Sequence, residues 1–129
     1  MQKEITILGQ TPSQKNAKTI AYNRRTGKPF PMSKQNVKDW QEYAALQLRL
    51  ISPKKPLEGR QSISIMFYLK DRRRRDIDNM LTTIQDALVK AGILRDDSWL
   101  NLKVGNLDAT LDPNKPRAEI KLTRVKELE

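Results

Sequence analysis

The chain has 129 residues and a net charge of +10, from 25 Lys and Arg against 15 Asp and Glu, so a nucleic acid is a better expected partner than an anionic membrane. The length predicts one domain, spanning 1–129, and without a long apolar run or a secretory leader we expect a cytoplasmic protein. The absence of cysteine and histidine excludes disulfides, thiolate or imidazole zinc sites and Ser-His-Asp triads, which leaves carboxylate chemistry with Mg²⁺ or Mn²⁺.

The first part of the chain combines a short strand with a basic segment. Ile5 and Ile7 predict a strand from about Lys3 to Leu8. Residues 10–38 contain no acid, and the turn-prone stretch 23–28 predicts a basic β-hairpin or an extended loop. Its candidate phosphate contacts are Lys15, Asn16, Lys18, Arg24, Arg25 and Lys28.

Aromatic residues in and near this segment have competing interpretations. Phe30, between two prolines, is equally consistent with a wedge that enters an open DNA junction and with a structural anchor. Trp40 is expected in the core. Trp99 is expected in the core or in a dimer contact rather than on a base.

Helical spacing of apolar residues predicts two helices. The first runs from about 34 to 51 and the second from about 79 to 90, and Gly92 ends the second. Alternating residues predict a core strand at 63–69, and further strands follow between 100 and 111, with a change of phase at Gly105, and between 118 and 122.

These elements predict an α/β fold with a mixed sheet and two main helices. The predicted order is β, basic loop or hairpin, α, β, α, β, β. The turn at 112–116 favours an antiparallel hairpin between the last two strands.

The most informative stretch is Arg72-Arg73-Arg74-Arg75-Asp76-Ile77-Asp78-Asn79. The arginines suit a polyanion, and two carboxylates at i and i+2 on a strand-to-helix turn can converge on one hard cation. Asp96 or Asp97, after the second helix, could supply a third carboxylate if tertiary folding returns it to the pair. Each feature alone also has a structural reading, because an Asp at a helix start is usually a cap and an Asp-Asp turn is usually solvated.

The run 71–79, followed by Asp86-Ala87-Leu88, Ala91-Gly92-Ile93 and Asp96-Asp97, resembles the core of the RusA family of Holliday junction resolvases, found in bacteria and their prophages. Pro12-Ser13-Gln14-Lys15-Asn16 is similar to the family's N-terminal region in a looser form. The resemblance implies a homodimeric, Mg²⁺-dependent endonuclease that nicks four-way DNA junctions symmetrically, and that is encoded by a bacterium or a phage. It implies metal binding and catalysis by Asp76, Asp78 and Asp97, and Asn79 is expected to cap or orient the turn. The positive charge of Arg72, Arg73, Arg74 and Arg75 separately predicts contacts with the DNA backbone.

One position departs from the family pattern. Thr82 stands where the family usually has a lysine, four residues after the second motif aspartate. Three explanations follow: a basic residue from elsewhere, such as Arg75 or Lys103, reaches the site; the enzyme is slower; or the chain is a degenerate binder of branched DNA.

Two further possibilities concern other chemistry. A basic, RNA-associated structural protein would have a similar composition. Glu119-Ile120-Lys121 is a weak match to a different nuclease pattern, and short matches of this kind occur often by chance.

Overall fold

The structure, a computed structural model, describes residues 2–13, 18–22, 24–33 and 35–126. Its strands and helices are β1 (Gln2–Leu8), β2 (Lys18–Tyr22), β3 (Pro29–Ser33), α1 (Gln35–Arg49), β4 (Gln61–Leu69), α2 (Ile77–Lys90), β5 (Leu102–Leu111) and β6 (Arg117–Arg124). This order confirms the predicted succession of elements. None of the helices in the described ranges is long and apolar enough to cross a lipid bilayer.

Four strands form a mixed sheet in the order β1-β6-β4-β5, and β2 and β3 form a separate antiparallel hairpin. β4 and β5 run parallel, whereas β6 is antiparallel to both β1 and β4. The α/β fold with a mixed sheet and two helices is therefore confirmed, as is a hairpin in the basic segment.

The predicted hairpin of the last two strands is wrong. β6 pairs with β1 and β4 rather than with β5. Ala118, Ile120 and Leu122 are fully buried on β6, so this strand is best placed in the interior of the sheet. β5, whose residues 103–106 are all exposed, occupies the edge, where polar side chains meet water.

One apolar core lies between one face of the sheet and the two helices. Alternate residues of β1, β4 and β6 point into the core, and α1 and α2 cover it with apolar stripes at helical spacing. Its buried members on these strands and helices are Ile5, Ile7, Trp40, Ala44, Leu48, Ile63, Ile65, Phe67, Met80, Leu81, Ile84, Leu88, Ala118, Ile120 and Leu122, and Ile93, Leu94 and Leu102 lie beside them. Trp40 is in this core, as predicted.

Gly105 marks the predicted irregularity in β5. The pairing with β4 shifts register between Ile63 and Ile65, which oppose Val104 and Leu107. A Cβ on Gly105 would lie 2.6 Å from the Ser64 hydroxyl oxygen. Only glycine fits so close to β4, so the bulge and the glycine occur together.

Trp99 is not in the core. Its side chain is 73% exposed and the next residue, Leu100, is 63% exposed. Both lie on the turn just before β5, beyond the cover of either helix. The core interpretation is wrong for this residue, and the dimer-contact interpretation stays a prediction.

Candidate active site

The acidic turn connects the end of β4 to the start of α2. Asp76 takes the N-cap position of α2 with an extended backbone (φ −86°, ψ 125°), yet its side chain makes no capping hydrogen bond. An Asp at this position ordinarily accepts a hydrogen bond from a backbone amide of the first turn. The exposed carboxylate of Asp76 is therefore available to another partner.

A hydrogen bond from Asn79 orients that carboxylate. The Asn79 side chain is buried, at 7% exposure, and its Nδ2 atom donates to Oδ2 of Asp76 over 3.3 Å. The contact agrees with the sequence-based interpretation that Asn79 orients the turn. An amide bonded to one carboxylate oxygen leaves the other oxygen and the remaining lone pairs for a cation.

A second contact joins the acidic turn to the start of the basic segment. The hydroxyl of Thr83, only 1% exposed, lies 2.8 Å from the carbonyl oxygen of Pro12 and 3.1 Å from that of Asn79. Nearby, the Lys70 amide donates to Oε1 of Gln10 over 2.8 Å. Residues 10–12 are thus held against the end of β4 and the first two turns of α2, which no local pattern in the sequence indicates.

Asp78 and Thr82 lie one helical turn apart on the exposed side of α2. The Thr82 hydroxyl donates to the backbone carbonyl of Asp78 over 3.1 Å. That bond is local, and it leaves the Asp78 carboxylate facing solvent. A lysine at 82 would extend past the same carboxylate.

Asp97 lies far from Asp76 and Asp78. Asp97 follows the C-terminal end of α2, a helix of 14 residues and therefore about 21 Å long. β5 then starts beside the beginning of β4, where Leu102 pairs with Gln61, whereas the acidic turn follows the end of β4. The parallel crossover therefore puts the two groups of aspartates at opposite ends of the sheet.

Within the part of the chain that the structure describes, no three acidic, histidine or cysteine side chains form a group that could hold a metal ion. Asp76 and Asp78 lie two residues apart on one turn, and Asp97 does not join them in a single chain. Two carboxylates on one turn still suit Mg²⁺, which keeps several of its waters and needs only one or two protein carboxylates.

Asp96 has a structural task of its own. Hydrogen bonds from the Ser98 hydroxyl, the Asn101 side chain and the Ser98 amide lower the pKa of the Asp96 carboxyl. The Ser98 amide and Asn101 Nδ2 both donate to its Oδ1 atom over 2.9 Å. Asp96 therefore fixes the turn, and its neighbour Asp97 is the exposed carboxylate of the pair.

The four arginines of the motif divide into two groups. Arg72, Arg73 and Arg74 are exposed beside the acidic turn, whereas Arg75 is packed against its own chain. Arg75 donates to the Asp71 carboxylate over 2.7 Å, so its guanidinium is bound to Asp71 in this structure. Lys103 lies on β5 opposite Ser62, at the far end of the sheet, and does not reach Asp76 or Asp78 in the same chain.

The predicted contacts of the basic segment are only partly described. Arg24, Arg25 and Lys28 are exposed in the connection from β2 to β3. Lys15 and Asn16 lie outside the described residues. Lys18 and Phe30 belong to β2 and β3, but their side chains lie outside the described part of the chain, so the wedge stays a prediction.

The weak nuclease match on β6 has a local structural explanation. Glu119 accepts from Arg117 Nε over 2.9 Å and from the Tyr68 hydroxyl over 3.3 Å. Arg117 also pairs with Asp112 over 2.8 Å and lies 3.7 Å from the centroid of the Tyr68 ring. Glu119 thus belongs to an ion-pair network on the open face of the sheet.

Comparison with known proteins assigns the family. Residues 11–123 match the family model described as Endodeoxyribonuclease RusA. The crossover junction endodeoxyribonuclease RusA of Aquifex aeolicus (strain VF5) is 34% identical over 64 residues, which cover 50% of this chain and 51% of that protein. The match thus spans about half the length of the curated relative. Because the family model covers nearly the whole chain, including the acidic turn and Asp97, the protein belongs to the RusA family of endodeoxyribonucleases.

Proposed function

We propose that this protein is a metal-dependent, structure-specific endodeoxyribonuclease that resolves four-way DNA junctions by paired, symmetric nicks. The observation that carries the proposal is that three exposed arginines, at 72–74, and two exposed aspartates, Asp76 and Asp78, lie within seven residues at the N-terminus of α2. Cations that bind the DNA backbone and carboxylates that bind a metal are then adjacent. The name of the Aquifex relative, a crossover junction endodeoxyribonuclease, supports the same substrate.

Asp76 and Asp78 would hold a divalent cation, Mg²⁺ or alternatively Mn²⁺, because their oxygens are the ligands that these ions prefer. When bound, the ion supplies an activated water and stabilises the leaving oxygen of the phosphodiester. Asn79 keeps Asp76 in one orientation through its hydrogen bond. Arg72, Arg73 and Arg74, together with Arg24, Arg25 and Lys28, hold the sugar-phosphate backbone beside the aspartates.

We also propose that the active form is a homodimer. A four-way junction has approximate two-fold symmetry, and a C2 dimer presents two equivalent acidic turns to it. Because Asp97 lies far from the acidic turn within one chain, we propose that Asp97 of one subunit lies at the acidic turn of the other. Asp97 then completes the metal site of the partner subunit.

The proposed place of cleavage is the cytoplasm of a bacterium, on chromosomal or phage DNA.

Mixing two inactive variants tests this arrangement. Asp78→Asn and Asp97→Asn protein are each expected to be inactive, and their heterodimer regains one intact site if Asp97 acts on the partner's turn. The mixture then makes single nicks in a junction. If each chain used its own Asp97, both sites of the heterodimer would stay defective and the mixture would remain inactive.

The proposed reaction is tested with the wild-type protein and a synthetic four-way junction. Symmetric nicks in the presence of Mg²⁺, and none with EDTA, are the expected result. Salt-sensitive binding without nicks would instead indicate a catalytically weak binder of branched DNA, which the uncharged Thr82 beside Asp78 favours as the second candidate. Equal affinity for RNA hairpins and for junctions would contradict both.

A further inference from the structure

Asp71 and Arg75 close the turn that carries the exposed arginines. Arg75 Nη2 donates to Oδ1 of Asp71 over 2.7 Å, and Nη1 lies 3.2 Å from the carbonyl oxygens of both Asp71 and Arg73. The Arg73 amide donates to the same Asp71 oxygen over 3.0 Å. One carboxylate and one guanidinium therefore join Asp71, Arg73 and Arg75, the first, third and fifth residues of the stretch 71–75.

Exposure separates the arginine in this pair from the others. The Arg75 side chain is 13% exposed and the Arg73 side chain 83%. The hydrogen bond from the Arg73 amide, followed by that from Arg75, lowers the pKa of the Asp71 carboxyl, so the pair is charged at neutral pH. Arg75 directs its donors to the Asp71 carboxylate and to the carbonyl oxygens of Asp71 and Arg73. The exposed Arg73 side chain makes a looser ion pair with the same carboxylate, with Nε 3.8 Å from Oδ2, and Arg72 and Arg74 are exposed.

We propose that Asp71 and Arg75 are positioning residues for DNA binding. The pair fixes residues 71–75 in one conformation, so that Arg72, Arg73 and Arg74 are ordered before the DNA arrives and Asp76 follows at a fixed place. Ordering these residues in advance removes an entropic cost from binding. The inference rests on the proposed function only in that the ligand is DNA.

The charge of Asp71 makes the inference testable. If this surface were only an electrostatic patch, Asp71→Asn would remove a negative charge beside three arginines and strengthen binding to phosphates. If Asp71 positions the turn, the same change frees Arg75 and disorders the three arginines, which weakens binding. The two interpretations predict opposite signs for one substitution.

Arg75→Lys provides a second, independent variant. Lysine keeps the positive charge but lacks the planar fork that reaches the carboxylate and two carbonyls together. If Arg75 positions the turn, Arg75→Lys binds DNA more weakly than the wild type. If Arg75 contacted phosphate only through its charge, the variant would keep most of the wild-type affinity.

The experiment is a titration of a fluorescent four-way junction and of a linear duplex with full-length protein, without divalent metal, at several salt concentrations. We expect Asp71→Asn and Arg75→Lys each to weaken binding about tenfold, and the double variant to be no weaker than either, because both act through one pair. Glu42→Gln, on the exposed side of α1, makes the same charge change as Asp71→Asn and is expected to bind as the wild type does or slightly tighter.

The possible results separate this inference from the proposed function. If Asp71→Asn binds DNA as tightly as the wild type or tighter, or if Arg75→Lys keeps the wild-type affinity, the positioning role is overturned. The proposed function is unaffected by that result as long as the wild type prefers junctions to duplex. A wild-type protein that binds duplex and junction equally contradicts the proposed function, and the comparison of variants on duplex still decides the positioning role. A wild type that binds neither DNA overturns both.

Discussion

The Nδ2 atom of Asn79 lies 3.3 Å from Oδ2 of Asp76, and this contact replaces the capping bond that an Asp before a helix usually makes. Asn79 is buried, whereas Asp76 is exposed. Outer residues that orient a metal ligand commonly change activity or metal affinity by about 10- to 100-fold when they are removed.

Asn79→Ala is therefore expected to slow Mg²⁺-dependent nicking by roughly tenfold or more, with junction binding in EDTA unchanged. Single-turnover rates over a range of Mg²⁺ concentrations measure the effect, and a higher Mg²⁺ requirement would identify its cause. Wild-type rates at every Mg²⁺ concentration would show that the hydrogen bond has no part in the reaction.

Thr82→Lys is expected to increase the nicking rate by about tenfold, because an ammonium group beside Asp78 can stabilise the charge that develops on the phosphate. Thr82→Met is the matched control, with a long side chain and no charge. Single-turnover rates on one junction compare the two. Equal rates in the Lys and Met variants would mean that charge at position 82 does not limit this enzyme.

Trp99→Ala is expected to weaken the proposed dimer by at least about tenfold, because a large exposed aromatic beside Asp97 has the character of an interface hot spot. Leu50, 87% exposed just after the C-terminal end of α1, gives the control variant Leu50→Ala, which should dimerise as the wild type does. Sedimentation velocity over a concentration series measures both. An unchanged dimer dissociation constant for Trp99→Ala would show that Trp99 is not part of the interface.

Acid should destabilise the fold partly through Asp112. Its hydrogen bond with Arg117 is the main cause that lowers the pKa of the Asp112 carboxyl in the folded state. As the pH falls, the unfolded chain binds the proton first, so this stabilising contribution is present at neutral pH and is lost as the pH drops through the lowered pKa.

The free energy of unfolding of Asp112→Asn should accordingly be lower than that of the wild type at neutral pH, and the difference between the two proteins should shrink on acidification. Urea unfolding between neutral pH and about pH 3 measures this difference. Glu42→Gln serves as the control on an exposed helix face. A difference between Asp112→Asn and the wild type that stayed constant across this range would contradict the assignment.

Local patterns predicted the elements well because each depends on its own residues. The apolar stripes of α1 and α2 and the alternation in β4 give helices and a strand whatever surrounds them. The position of β6 depends instead on the whole sheet, because β6 lies in the interior and pairs with a strand on each side. β5, which precedes β6 in the chain, is polar and lies at the edge of the sheet.

The candidate site shows the same division. The motif from Arg72 to Asn79 could be found in the sequence, whereas the ion pair of Asp71 and Arg75 forms in an irregular turn, where helical spacing rules do not apply. The contact of Thr83 with Pro12 joins residues 71 positions apart, so no local pattern predicts it. The distance of Asp97 from Asp76 follows from the parallel pairing of β5 with β4, which depends on tertiary folding and not on a local pattern.

The most direct measurement compares Asp78→Asn with the wild type and with Asp108→Asn, a change at an exposed acid on the edge strand β5. Each protein is incubated with a four-way junction and Mg²⁺ after equal binding has been verified in EDTA. We expect paired nicks from the wild type and from Asp108→Asn, and a rate for Asp78→Asn that is lower by about a hundredfold or more. Nicking by Asp78→Asn at the wild-type rate would contradict the assignment of the acidic turn as the metal site.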